Sequence, residues 1–165
     1  MNEDIYMFNG ITLPVRVAEG AISIKDTVSV KGDGKEPTLA NAVKQGDAVA
    51  IIGVTDDGYP LVEYADGSNG TIIGFVHDHP EYDFDPIKDY TKAQAITAGM
   101  LRKCGVETVF DDIRPVPVKA GEGIEAGDYV KYGADGQSFE KSSDETDMIA
   151  LSNQGTANRI ILGIK

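Results

Sequence analysis

At 165 residues, with 27 acidic side chains against 15 basic ones and a formal charge of -12, the chain is long enough for one domain with a real core. It is too acidic to neutralise nucleic-acid phosphates through a basic face, and no apolar run approaches the length of a membrane-spanning helix. Its one cysteine, Cys104, rules out an internal disulfide, while 19 glycines and no tryptophan point to a turn-rich, mainly β protein.

The opening MNEDIYMFNG is acidic and carries neither the basic nor the apolar region of a secretory signal, so a cytoplasmic location is expected. Met1 to Val17 is polar and then extended around Pro14, the character of a terminal arm that could add to a neighbour's sheet edge. Ile22, Ile24, Val28 and Val30 then alternate before the Gly32-Asp33-Gly34 turn, so residues 1–40 read as an arm and a hairpin.

Residues 41–77 form a first β-unit: a Gly46-Asp47 turn, a strand, turns at Asp57-Gly58, Asp66-Gly67 and Asn69-Gly70, and a closing TIIGFV. Residues 120–165 follow a similar order. Val43 to Val49 parallels Ile124 to Val130, Asp57-Gly58 parallels Asp135-Gly136, and Ile72 to Val76 parallels Ile161 to Ile164, a degenerate internal repeat. The glycine inside each closing strand either bends it or admits another backbone. Two such units predict one compact β-barrel or sandwich.

Residues 78–119 read as an insertion between the units. Ala93, Ile96, Met100, Leu101 and Cys104 share one face of a helix from about Tyr90 to Lys103, stopped by Gly105, although the same stretch can be read as two strands around Gly105. Pro115 and Pro117 make the following segment an edge strand or a linker.

Both histidines fall in GFVHDHPEYDFDP. On a strand, His77 and His79 project to one side, and with Asp83 and Asp85 they are the candidate metal ligands, though no metal, cofactor or catalytic residue is assigned. GFVHDHP resembles the His-x-His-Pro segment of the JAMM-type metalloproteases, which implies a zinc hydrolase. The chain departs from that pattern: EYDFDPIKDY holds no serine, and Glu19, Glu36 and Glu63 lie in no matching context. Asp78, Glu81, Asp83 and Asp85 could also hold a hard cation, but not in EF-hand order. An acidic loop leaving a strand is the commoner meaning of such a run.

IEAGDYV, then Asp135-Gly136, Ala150-Leu151 and Ile160-Ile161, resembles head decoration and capsid-associated proteins of tailed bacteriophages and their prophage relatives. The resemblance implies a non-enzymatic virion protein, often a homotrimer, that binds and stabilises a lattice of major capsid protein without nucleic acid or membrane. A carbohydrate- or protein-binding β-module unconnected with phage is the remaining alternative.

Overall fold

The computed structural model describes residues 10–18, 43–82 and 91–165. The hairpin expected at residues 22–34, and Asp83, Asp85 and Asp89, lie outside the described residues. The architecture is mainly β, with one short helix among the described residues, as expected. Five strands close a barrel in the order β1-β3-β2-β4-β5: β1 (Thr12–Val17), β2 (Ala48–Val54), β3 (Pro60–Tyr64), β4 (Thr71–Val76) and β5 (Arg102–Thr108).

Alternation makes these strands. Val15 and Val17 of β1, Val49 and Ile51 of β2, Val62 of β3, and Cys104 and Val106 of β5 point inward and form one core with Ile73 and Val76. β1 pairs with β5 antiparallel from Thr12↔Glu107 to Val17↔Arg102, and with β3 in parallel at Arg16↔Leu61 and Val17↔Val62. Thr12–Val17, expected as part of an arm reaching a neighbour, is therefore a staple of its own barrel. Two inward valines on that short stretch gain more by completing a closed core than by lying on an edge.

The helix is shorter than expected. α1 (Lys92–Thr97) starts at a capping box between Thr91 and Gln94, and Gly99, at φ 67°, turns the chain out of it. Its stop is thus Gly99, not Gly105, and Arg102 onward alternates as β5. Ala95, Ile96, Met100 and Leu101 pack over Ala18, Leu61 and Ile52 on the outside of the barrel, and Lys92 pairs with Glu63.

The second half comprises β6 (Asp112–Pro117), β7 (Val130–Tyr132), β8 (Phe139–Lys141), β9 (Met148–Ala150) and β10 (Arg159–Ile164). They form a three-stranded sheet β6-β10-β9 and a pair β7-β8, joined by bridges Val118↔Phe139, parallel, and Tyr129↔Ile149, antiparallel. Taken together these pairings reproduce the first barrel strand for strand, with β6 to β10 standing for β1 to β5. The N–H of Ala18 donates to Val62 O and that of Lys119 to Phe139 O, both at 2.8 Å. Pro14 faces Gly105, and Pro115 faces Ile161.

The repeat is thus larger than the sequence reading and differently registered. LPVRV at 13–17 matches RPVPV at 114–118, so the segment expected as an insertion supplies β5, which completes the first barrel, and β6, which begins the second half. The partner of β4 is β9, not the Ile161–Ile164 stretch: Gly46 N–H donates to Val76 O and Gly127 N–H to Ala150 O. Glycine misled the alignment because it serves two ends. A Cβ on Gly74 would lie 2.0 Å from Glu107 O, whereas one on Gly163 would meet the Phe110 ring at 2.8 Å.

The halves are packed on each other. Ile149 and Leu151 from β9 and its exit join the apolar cluster of the first barrel with Ile51, Ile73 and Phe110, and Tyr129 and Ala126 lie against it. Thr71 Oγ1 donates to Gly127 O across the junction. The second half keeps its own core of Val116, Val118, Ile124, Val130, Ala150, Ile160 and Leu162.

Candidate functional site

The HDHP loop continues β4 along β5. His77 N–H donates to Gly105 O at 2.9 Å, and Glu81 exchanges both backbone hydrogen bonds with Lys103. Asp78 Oδ1 accepts the Gly105 N–H at 2.6 Å. The second half builds the same device without histidine: Leu151 N–H donates to Ile161 O, and Ser152 Oγ accepts the Ile161 N–H at 2.9 Å. Asp78 and Ser152 therefore occupy one structural position, where a short side-chain acceptor serves the N–H that no strand reaches.

His77 and His79 flank Asp78 and are both exposed. His77 Nδ1 lies 2.9 Å from Glu107 Oε1, the outward side chain of the facing strand. Pro80 is buried, and its carbonyl accepts from Arg102, whose other terminal nitrogen donates to Val43 O at 2.9 Å. Among the described residues no group of three His, Cys, Asp or Glu side chains is placed to hold a metal. Cys104 is buried inside the first barrel, a setting for packing and not for nucleophilic attack.

A cleft of about 280 Å³ lies between the Asp57-Gly58 turn and the end of α1. The Arg16 guanidinium stacks 3.7 Å above the Tyr59 ring there and reaches Asp57 at 3.5 Å. Asp57 is held below the usual carboxylate range, chiefly by the Thr55 hydroxyl. The sequence reading missed this group, although the inward valines on either side of Arg16 place it outward.

The Asp57-Gly58 and Asp135-Gly136 turns are closed in the same way. Gly58 N–H donates to Thr55 O and Gly136 N–H to Gly133 O. Asp135 accepts from the Ser138 hydroxyl and from the N–H groups of Gln137 and Ser138, which brings its pKa down from 3.8 to about 2. The carboxylate thus contributes stability that is present above its ordinary pKa and lost as pH falls through about 2. An NMR titration of the Asp135 carboxyl carbon is expected to give a midpoint near 2, moved up toward 3.8 by Ser138→Ala. An unchanged midpoint in the variant would remove the hydroxyl as its main cause.

Among the described residues five large apolar side chains are exposed beside the many charged ones. Tyr64, Ile72, Phe75, Tyr132 and Ile161 stand at 37% exposure or more. Ile72 and Phe75 share β4, while Tyr132 stacks on Phe139 at 4.8 Å between centroids. Comparison with protein-family models, with curated proteins and with solved structures found no match.

Proposed function

We propose that the chain is a non-enzymatic structural protein of a phage or prophage-derived particle, binding and stabilising the capsid with the major capsid protein as its partner. The observation that carries this reading is where the polar loop side chains go. Asp78 and Asp135 are engaged with backbone N–H groups, and His77 with Glu107, so these loops act as rigid corners while apolar side chains face outward. Rigid corners and outward apolar groups suit a surface that grips a partner. Of the residues that carry the resemblance to capsid-associated proteins, Gly127, Asp128, Gly136 and Ala150 make turn or pairing hydrogen bonds of the backbone and Asp135 accepts two backbone N–H groups. A homotrimer, assembled in the host cytoplasm and carried on the virion, completes the proposal.

The first test is the genomic neighbourhood, where a gene for a major capsid protein is expected and its absence would count against the reading; capsids assembled from that protein without this chain are the second. The purified protein is expected to co-sediment with them and to raise the temperature at which they open. Protein that stays in the supernatant, with capsid stability unchanged, would refute the reading.

A further inference from the structure

The repeat makes each half a control for the other. In the second half the outward side chains of β9 and its exit, Ile149 and Leu151, are 0% and 3% exposed because the first barrel covers them. By the pairings above, Ile149 corresponds to Phe75, Leu151 to His77 and the Gly127 turn to the Gly46 turn. In the first half no described residue covers that face: Phe75 is 49% exposed, Ile72 beside it 42%, and His77 is exposed. A Cβ on Gly127 would lie 3.3 Å from Ile51 Cγ2, whereas one on Gly46 would meet no described residue within 4 Å.

The opposite side of the junction has a counterpart too. Ile51, on the end of the first barrel that receives the Gly127 turn, corresponds along β2 and β7 to Tyr132, which is 70% exposed and stacked on Phe139. The first half thus shows an open inserting face and the second an open receiving end, and inside the chain the counterparts of these two surfaces are joined.

We propose that a second copy of this chain docks the Tyr132 end of its second half onto the Phe75 face of the first half, repeating between chains the contact made within one. Such a contact is heterologous: each chain offers one inserting face and one receiving end, so copies add head to tail into a ring if the rotation closes and a filament if it does not. The three exposed apolar side chains Ile72, Phe75 and Tyr132 then have one explanation. The proposal depends on the repeat alone and stands whatever particle the chain binds.

Sedimentation velocity at high protein concentration tests it with Phe75→Asp and Tyr132→Asp, both surface changes whose folding is checked by an unchanged melting temperature. Wild type is expected to form assemblies and each variant to be monomeric. Mixed in equal amounts, the variants are expected to form a one-to-one dimer, because Phe75→Asp keeps its receiving end at Tyr132 and Tyr132→Asp keeps its inserting face at Phe75. A monomeric wild type, variants that still assemble, or a mixture that stays monomeric would each overturn the proposal. Capsid binding by a monomeric wild type would leave the capsid-binding role standing while this proposal, and the homotrimer with it, fails.

Discussion

Gly74→Ala is expected to destabilise the protein by about 3 kcal/mol or more, near the upper end for overpacking, because the space a methyl needs is already filled by backbone. The added Cβ would sit 2.0 Å from Glu107 O and 2.8 Å from Thr108 Cα. A side chain could rotate away, but here β4 and β5 would have to separate where Gly74 pairs with Thr108 and Phe75 with Glu107. Gly53→Ala is the control, since nothing lies within 4 Å of a Cβ at Gly53 in the neighbouring strand. That variant is expected to stay within about 1 kcal/mol of wild type, as replacing glycine lowers the entropy of the unfolded chain. Urea unfolding of the two variants measures the difference, and equal stabilities would show that the strands yield.

The second large effect is expected at Arg102, 1% exposed at the start of β5. Its guanidinium donates to the carbonyls of Pro80 and Val43, tying the histidine loop and the approach to β2 onto the closing strand. Arg102→Met keeps much of the stem's volume and removes the donors, leaving buried acceptors unserved, at a cost of about 3 kcal/mol. Arg102→Lys is expected to recover less than half of that loss, because one ammonium cannot reproduce the spread of the guanidinium fork. Full recovery by lysine would mean that charge alone matters at this position.

The β class, the turns and part of the duplication were legible because each is local. Alternation around Val15 and Val17 and glycine at Gly46 and Gly127 can be read within a few residues. Barrel closure is not local: β1 meets β5 across most of the first half, and no period in TLPVRV names RKCGVET as its partner. Ala150 belongs to a strand of three residues, Met148–Ala150, too short to carry a period, so the more visible IILGI was matched to IIGFV in its place. The helix ran too far on paper because Met100, Leu101 and Cys104 continue its apolar face. In the fold, Gly99 sends Met100 and Leu101 beneath α1 and Cys104 into the barrel.

The histidine pair shows the same limit. Two imidazoles one residue apart signal a metal site because spacing is all that a sequence displays. The residue between them, Asp78, is matched by Ser152 in a loop with no histidine, so the strand exit itself demands an acceptor there. His77 stands where Leu151 stands in the second half, on the face that the first barrel covers. That correspondence places the most conspicuous motif of the sequence on the surface proposed to contact a second copy.

Cryo-electron microscopy of particles incubated with the purified protein tests the proposed role most directly. The expected result is density for both halves at regular positions on the capsid lattice, with apolar outer side chains against the capsid or a neighbouring copy. Particles bare of such density, with all of the protein recovered free in solution, would contradict it.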